Sequence, residues 1–520
     1  MTFWENVSAF LAKLFTVLTD VNNVINNFVW VEVGLVILVG TGVLMTILTG
    51  CFQVSHIGHW WKKTIAGMFK KDALKKKDEK SVSQFQALCT ALAATIGTGN
   101  IAGVATAIVI GGPGAVFWMW IAAFLGMMTN FSENVLGIYY RRRNAQGEWS
   151  GGPMYYLKDG LGKAIGYEKI GKVLAVLFSI FAILASFGIG NMGQVNKITL
   201  NIKSAFFANV EPVMVVGNIE LIPLIIGISL VILGGLIILG GLQRIAAVAE
   251  KVVPFMAIAY VLGALIICCV NITEIGPAFL AIFKFAFGVK AVGGAAVGIA
   301  IKEVITQGCK RGVFSNEAGL GSSVMVHSNS DVVEPVKQGM WGIFEVFADT
   351  FVVCTMTALV VLTSGFINLE TGLAVEGTSD ATLVAQAFGN VFGQAGQWFI
   401  AIAMLLFAFT TVLGWSHYGS KAVEYLFGNI GTVIYKVIFV LMIVSGALMT
   451  SSLAWDISDT FNGLMMMPNL VGVVALSPVV VKITRNYIAR KIKGQEEEPV
   501  LSYDPEIQAE AAKAVAEGRE

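Results

Sequence analysis

The sequence ATIGTGNIAGVATA, residues 94–107, interrupts a long apolar run with two glycines that flank Thr98. Glycine lacks a Cβ atom, so each of these glycines lets the backbone turn sharply and approach a ligand closely. Inside a bilayer, non-helical backbone is tolerated only where protein or a polar cavity satisfies its hydrogen-bonding groups. We therefore expect a broken helix, with half-helices at 83–96 and 101–110 and a binding site at the break.

The composition places this broken helix in a membrane. Of the 520 residues, 56% are apolar and only 13% are charged, whereas soluble domains carry roughly 25% charged residues. Several apolar runs exceed the ~20 residues needed to cross a bilayer, and the run from Leu221 to Gly241 contains no charge. The chain has no Walker A, GxSxG or HExxH motif, and its six cysteines show no metal-ligand spacing. We expect one all-α membrane bundle, no enzymatic activity and no organic cofactor.

Hydropathy predicts eleven transmembrane helices, with ends good to about three residues. The predicted spans lie near 29–53, 83–110, 114–138, 172–199, 221–241, 246–271, 276–306, 337–363, 396–420, 431–451 and 457–482. The second and the seventh are long and are interrupted by glycine.

The distribution of basic residues predicts the orientation, because cytoplasmic loops carry an excess of Lys and Arg. Residues 54–82 carry eight lysines against three acids, whereas residues 364–380 carry three acids and no Lys or Arg. This places the N-terminus outside and the C-terminus in the cytoplasm of a bacterial or archaeal plasma membrane. The same rule places further basic residues inside, namely Arg141, Arg142, Arg143, Arg244, Lys310, Arg311 and Lys421.

The ten spans that follow the peripheral helix 29–53 divide into two sets of five, 83–271 and 276–482. The two sets start on opposite sides of the membrane, which is the arrangement of inverted-repeat transporters. Outside them we expect three further segments: an amphipathic N-terminal segment 1–28, a basic cytoplasmic loop 54–82 and an acidic tail 494–520 whose Asp504-Pro505 starts a helix.

The leading helix of the second set is also interrupted, by Phe287-Gly288 and then by Gly293-Gly294. Glycines can instead let helices pack closely. The occurrence of both breaks at corresponding positions favours a binding site near the midplane between them.

The polarity of broken helices suits a zwitterion and a cation. The carbonyls of Ala93 and Ile96 lie at the negative end of a half-helix and could hold a desolvated Na⁺. The amides of Thr98 and Gly99 lie at the start of the next half-helix and favour a carboxylate. The carbonyls near Phe287 offer a negative end to an ammonium group. Such a site requires no buried charged side chain, which is costly near the midplane.

Polar side chains on two other spans could complete this site. Thr410 and Thr411 carry hydroxyls that could coordinate a cation, although such hydroxyls also bond to the preceding helical turn. Asn191 and Gln194 could contact a substrate or join two helices. The aromatic side chains Phe283, Phe285, Phe287 and Trp415 could wall the pocket or simply pack.

These residues resemble the alanine or glycine:cation symporter family. Residues 94–107 are similar to its first core helix, GGPGAVFWMW at 111–120 to its signature stretch, and FSNEAGLGSS at 314–323 to a further block in the cytoplasmic loop after the second broken helix. The resemblance extends from about residue 30 to 485.

The resemblance implies the five-plus-five fold of sodium-coupled leucine transporters, with broken first and sixth core helices. In that group a Gly-x-Gly-Asn break, here residues 97–100, holds the substrate carboxylate. The implied substrate-binding residues are Thr98, Gly99, Asn100, Gln194, Phe287, Gly293 and Gly294, and Trp415 is predicted beside them as a possible pocket wall. The implied Na⁺ ligands are Ala93, Ile96, Thr410 and Thr411.

The expected function is symport of Na⁺ with alanine or glycine by alternating access, in a lipid bilayer and without a nucleic-acid partner. One alternative is proton-coupled symport, through Lys251 or through an embedded acid such as Glu133, Glu345, Asp349 or Asp456. Another is an amino-acid receptor that does not transport. A channel is disfavoured because no continuous polar pore lining is evident.

Overall fold

A computed structural model of the chain describes residues 16–17, 19–68, 78, 80–216, 219–287, 300–378, 380, 382–449 and 453–518, except for the side chains of 453–456. The helices are α1 Thr19–Leu48, α2 Phe52–Ser55, α3 Ile57–Lys63, α4 Ile65–Met68, α5 Gln84–Thr95, α6 Gly99–Gly111, α7 Gly114–Tyr139, α8 Pro153–Tyr155 with its π-helical continuation Tyr156–Ala164, α9 Glu168–Phe206, α10 Leu221–Ile238, α11 Gly241–Val270, α12 Ile272–Phe285, α13 Ile301–Asn316, α14 Val324–His327, α15 Pro335–Leu362, α16 Leu383–Phe392, α17 Gln394–Leu448, α18 Leu453–Ala475, α19 Ser477–Ile492 and α20 Pro505–Ala516. Two short antiparallel hairpins pair β1 Arg142–Arg143 with β2 Trp149–Ser150, and β3 Met214–Val216 with β4 Ile219–Glu220.

The predicted all-α membrane architecture is confirmed, and the count of eleven spans stays a prediction. Among the described residues, seven helices are long and apolar enough to cross a membrane, or nine if each of two bent pairs is one span. Helix α17 covers two predicted spans, 396–420 and 431–451. Gly428 (φ 68°, ψ −164°) lies between these spans and kinks the helix there. The seventh predicted span corresponds to α12 and α13, and residues 288–299 between them lie outside the described residues.

The predicted break in the second span is present. Ser83 caps the start of α5 by accepting from the Gln86 amide, while the Gln86 side chain accepts from the Ser83 amide. This reciprocal capping satisfies two orphan donors at the helix start. After Thr95 the chain leaves the helix, and α6 continues at an angle of 52° to α5.

The interior around this break is unusually polar. The helix α7 packs against α13 and α15, and α9 packs against α17 and α18. Within six residues, α7 buries five polar side chains, namely Thr129, Asn130, Ser132, Glu133 and Asn134. Large apolar side chains such as Ile232 and Leu236 of α10 are instead exposed on the outside. Polar side chains inside and apolar side chains outside are expected of a helix bundle embedded in lipid.

The first helix begins earlier than the predicted span 29–53, and residues 1–15 and 18 of the predicted N-terminal segment lie outside the described residues. It packs closely on α18, where the Trp30 indole donates to the Asp459 carbonyl at 2.9 Å. At the other end of the chain, the Asp504 side chain accepts from the amides of Glu506 and Ile507 and caps α20, as predicted.

Close packing of α13 on α7 depends on Gly308. A Cβ atom at this position would overlap the Ala115 carbonyl and lie 2.6 Å from Trp118 Cβ, whereas a Cβ at Gly312, one turn later, finds its nearest neighbour at 3.4 Å. We expect Gly308→Ala to destabilise the protein by about 1–3 kcal/mol. Gly312→Ala, the matched control, should change stability by less than ~1 kcal/mol. Thermal unfolding of both variants in detergent tests this, and equal melting temperatures would contradict it.

Candidate functional site

The first break consists of buried backbone whose amides are bound by side-chain oxygens. Ile96 has φ −75° and ψ 89°, which ends the helix before Gly97. The Gly97 amide donates to Asn100 Oδ1 at 2.9 Å, and the Thr98 amide donates to Gln194 Oε1 at 3.2 Å. The break thus presents N–H donors in a protein interior, where an anionic group would otherwise be costly to bury.

The two amide side chains of α9 have different roles. Gln194 is held by its Nε2, which donates to the Ile189 carbonyl at 3.0 Å, so that its oxygen faces Thr98. Asn191 Nδ2 donates to the Phe439 carbonyl of α17 at 2.7 Å. The structure therefore brings Gln194 to the break, and Asn191 joins two helices.

Thr98 lies at the base of a large cavity. Its hydroxyl is buried and has no hydrogen-bond partner among the described residues. The cavity has a volume of about 680 Å³, and its lining extends from Thr98 and Phe314 to Glu220 and Asp380. An unpaired buried hydroxyl is costly, and it belongs to a residue that lines the cavity.

On the other side of the break, Thr411 contacts the end of α5. Its hydroxyl lies 3.1 Å from the Ala93 carbonyl and 3.0 Å from the Phe407 carbonyl. The neighbouring Thr410 hydroxyl bonds to the same Phe407 carbonyl at 3.0 Å and lies 3.8 Å from Met256 Sδ of α11. The structure therefore brings together Ala93 and Thr411, it places Ile96 at the end of the same half-helix, and it turns the Thr410 hydroxyl towards α11.

A buried carboxylate stands directly behind the break. Asp349 of α15 is fully buried, and it accepts hydrogen bonds from Asn100 Nδ2 at 2.5 Å, Ser315 Oγ at 2.8 Å and Thr350 Oγ1 at 2.9 Å. By sequence alone, Asp349 is one embedded acid among several. Its contact with Asn100 of the Gly-x-Gly-Asn stretch distinguishes it from the others.

A second interruption, at 317–323, packs on the first. It follows α13, and Gly319 (φ 93°) and Gly321 (φ 73°) adopt conformations that L side chains rarely reach. A Cβ on Gly99 would lie 3.1 Å from Phe314 Cδ1 and 3.2 Å from Ser315 Cα. The cytoplasmic side of the block 314–323 stays a prediction. Its residues 314–316 end α13, residues 317–323 are non-helical, and all ten are buried. Its small and polar residues lower the hydropathy, but they bond to other buried groups.

Buried side chains anchor this second interruption. Asn469 of α18 donates to the Gly319 carbonyl at 2.8 Å and also to the Glu133 carboxylate of α7. Glu345 of α15 accepts from His327 at 3.0 Å. These embedded acids therefore have structural partners, while the side chain of Asp456 lies outside the described part of the chain.

The remaining predicted substrate residues divide into three cases. Phe287 is 64% exposed, and its ring lies 5.6 Å from Phe117 and 6.1 Å from Trp118, so it is not brought to the first break. Gly293 and Gly294 lie outside the described residues. Trp415 is buried and donates its indole N–H to Glu317 Oε1 at 2.8 Å.

The positions of Arg311 and Lys251 bear on the predicted orientation and on the predicted coupling. The cavity that Arg311 lines is also lined by Glu220 and Asp380, so the prediction that Arg311 and Asp380 lie on opposite sides is wrong. Lys310, beside Arg311, pairs with Asp459 at 2.8 Å within the bundle, and the charge rule applies to loops, not to paired helix residues. Lys251 is exposed on α11.

Comparison with known proteins places these features in a family. The sequence model described as "Sodium:alanine symporter family" matches residues 15–501. The sodium/alanine symporter AgcS of Methanococcus maripaludis is 43% identical over 468 residues, which are 89% of this chain and 96% of that protein. A Bacillus subtilis protein named as the probable sodium/glutamine symporter GlnT is 34% identical over 490 residues, 94% of each chain.

Among solved structures, the crystal structure of MhsT in complex with L-phenylalanine matches with a TM-score of 0.51 at 13% identity, over 84% of this chain and 97% of that one. This likeness confirms the predicted leucine-transporter type of fold. The inverted repeat stays a prediction.

Proposed function

This chain belongs to the sodium:alanine symporter family, and we propose that it couples inward movement of Na⁺ to uptake of a small neutral amino acid, alanine or glycine. Membership of the family supports the broader statement that the protein is a membrane-embedded, cation-coupled amino-acid symporter. The choice of ion, substrate and site residues is the proposal.

The observation that carries the proposal is the arrangement at Thr98. Its hydroxyl is buried without a partner among the described residues, and its amide is bound by the side chain of Gln194, which a substrate carboxylate would have to displace. A substrate carboxylate entering from the cavity would accept from both groups. Gly99 and Asn100 follow in the same turn and would hold the backbone of the break around the carboxylate.

The proposed Na⁺ ligands are the oxygens of Ala93, Ile96, Thr410 and Thr411. The Ala93 carbonyl oxygen and the Thr411 hydroxyl oxygen lie 3.1 Å apart. Carbonyl groups at the end of a half-helix favour a cation. A rotation of the Thr410 side chain away from Phe407 would add a further oxygen. Na⁺ bound here would stabilise the end of α5, and this helix end adjoins the turn that binds the carboxylate. Because the same helix end belongs to both sites, Na⁺ binding would favour binding of the amino acid.

The preference for a small neutral amino acid rests on the lining of the break and on one relative. The side chains that contact the break include Asn100, Gln194, Thr411 and Phe314, none of which is charged. AgcS is named a sodium/alanine symporter. Trp415, Phe287, Gly293 and Gly294 remain proposed contacts. GlnT, at lower identity, is named for glutamine, so the test includes both amino acids.

We propose alternating access between the predicted repeats 83–271 and 276–482. The cavity gives access to Thr98 from the end that carries Glu220 and Asp380, which the charge distribution puts outside. At the opposite side the second interruption and its buried partners close the path. Release of the amino acid and Na⁺ into the cytoplasm then requires the helices around 317–323 to separate.

Proton coupling is the second candidate, and a specific contact favours it. Asp349 touches Asn100 of the break, so a proton on this carboxylate would alter a side chain that binds the Gly97 amide. Lys251 has no comparable support, because it is exposed on α11.

The test is uptake of labelled alanine, glycine and glutamine into proteoliposomes that contain the purified protein. An inward Na⁺ gradient, a matched K⁺ gradient and a proton gradient without Na⁺ are compared. We expect alanine or glycine to accumulate only with Na⁺. Accumulation driven by protons alone would transfer the coupling role to Asp349, and accumulation of glutamine but not alanine would reject the proposed substrate.

A further inference from the structure

Glu317 adopts a backbone conformation that is unusual for its residue type. It ends α13 with φ 56° and ψ 8°, and its amide donates to the Val313 carbonyl at 2.8 Å. Among the described residues, Cys51 is the one other non-glycine residue with positive φ. Glycine is usual at such helix ends because a Cβ atom is disfavoured there. The presence of glutamate in this conformation indicates that its side chain makes contacts that glycine could not make.

The carboxylate of Glu317 joins two structural elements. One oxygen accepts the Trp415 indole N–H of α17 at 2.8 Å, and the other accepts the Ser322 hydroxyl at 2.5 Å. Glu317 is 2% exposed. Its carboxyl group therefore lies inside the protein and depends on these donors for its hydrogen bonds. The bond to Ser322 closes the second interruption on itself, and the bond to Trp415 ties that interruption to α17.

Trp415 in turn adjoins the proposed amino-acid site on two sides. A Cβ on Gly190 of α9 would overlap Trp415 Cβ and lie 2.8 Å from its ring atom Cδ2, so the ring packs directly on the turn that precedes Gln194. Thr411 lies one helical turn before Trp415, on the same face of α17, and contacts Ala93. A change in the position of the Trp415 ring would displace both neighbours.

We infer that Glu317 is a positioning residue for amino-acid binding, which acts by fixing the indole of Trp415 against α9. This inference rests on the proposed function only because it requires an amino acid to bind at the first break. Without the carboxylate, the indole loses its acceptor and the ring is free to leave Gly190. Gln194 and Thr411 then lose the surface that orients them, and affinity falls although neither contacts Glu317.

A double-mutant cycle tests this inference on the full-length protein. Equilibrium binding of labelled alanine at saturating Na⁺ is compared for wild type, Glu317→Gly, Trp415→Phe and the double variant. Glycine removes the carboxylate and suits the positive φ, so the backbone is not strained. Phenylalanine keeps a ring but has no N–H. If wild type does not bind alanine, the probe is the amino acid of the standard twenty that it binds most tightly, which separates the inference from the proposed substrate.

We expect each single variant to weaken binding about tenfold, as for loss of a buried hydrogen bond that leaves its partner unsatisfied. The double variant should be no more than about twofold weaker than either, because both changes remove one interaction. Glu317→Gln keeps an acceptor for the indole and should stay within about threefold of wild type. Trp398→Phe is the matched control, since this indole on the same helix donates to the Ala205 carbonyl at 3.2 Å away from the site.

Multiplicative effects in the double variant would overturn the inference, as would a Glu317→Gly protein with unchanged affinity. If Glu317→Gly does not yield monodisperse protein, Glu317→Asp takes its place in the cycle. The shorter aspartate side chain withdraws the carboxyl group from the Trp415 indole but keeps an acidic group at this position.

Discussion

Gly97→Ala is expected to abolish amino-acid uptake, lowering the initial rate on the order of 100-fold. An added Cβ atom at Gly97 would overlap Thr411 Oγ1 and lie 3.2 Å from Gln194 Oε1. The methyl group would therefore push Thr411 away from the Ala93 carbonyl and press on the side chain that binds the Thr98 amide. One small substitution disturbs the proposed cation ligands and the proposed carboxylate site together.

Gly103→Ala is the control within the same broken helix. Its added Cβ would find its nearest neighbour, the Thr98 carbonyl, at 3.9 Å, an ordinary contact. Uptake by this variant should stay within about twofold of wild type. Labelled alanine uptake at equal amounts of reconstituted, monodisperse protein gives the comparison. Wild-type uptake by Gly97→Ala would mean that the amino acid and the cation bind elsewhere.

The parts of the fold that the sequence predicts well are those with a local chemical signal. The uncharged run 221–241 corresponds to α10, Leu221–Ile238, and the predicted span 114–138 corresponds to α7, Gly114–Tyr139. The first break is equally local, because two glycines separated by one residue interrupt an otherwise helical stretch. In each case the lipid or the backbone imposes the constraint, and no distant partner is needed.

The second interruption could not be located by hydropathy. Residues 314–323 contain Ser, Asn, Glu and Gly, which lower the apolar score and resemble a loop. Their burial depends on partners from other helices, such as Asn469 for the Gly319 carbonyl and Trp415 for Glu317. Pairing between distant residues is not visible in one sequence. The two glycines of this block, both at positive φ, were the signal that could have identified it.

Side-chain direction was the other feature that the sequence could not supply. Thr410 and Thr411 are adjacent, and successive residues of an α-helix point about 100° apart. Both hydroxyls therefore cannot face Ala93 without a rotation, and the structure directs the Thr410 hydroxyl to Phe407 and α11. The exposed position of Phe287 is a similar case: its residue type suits a pocket wall, but packing on Phe117 takes it elsewhere.

Thr411→Val is expected to raise the Na⁺ concentration for half-maximal uptake at least about tenfold, with little change in folding. Valine has nearly the shape of threonine and lacks the hydroxyl. The Thr411 hydroxyl has one proton and two carbonyl neighbours, Phe407 at 3.0 Å and Ala93 at 3.1 Å. If the proton is donated to Phe407, a lone pair of the oxygen remains free beside the Ala93 carbonyl, where a cation can be coordinated.

Initial uptake rates as a function of Na⁺ in proteoliposomes measure this effect. Thr432→Val on the same helix is the matched control, because its hydroxyl bonds to the Gly428 carbonyl at 3.3 Å, in the preceding turn, and it should keep the wild-type Na⁺ dependence. Thr410→Val shows whether the second hydroxyl rotates into the site: an effect as large as that of Thr411→Val requires such a rotation on Na⁺ binding. An unchanged Na⁺ dependence in Thr411→Val would remove the end of α5 from the cation site. Coupling would then have to pass through Asp349, since its contact with Asn100 is the other link between a cation-binding group and the break.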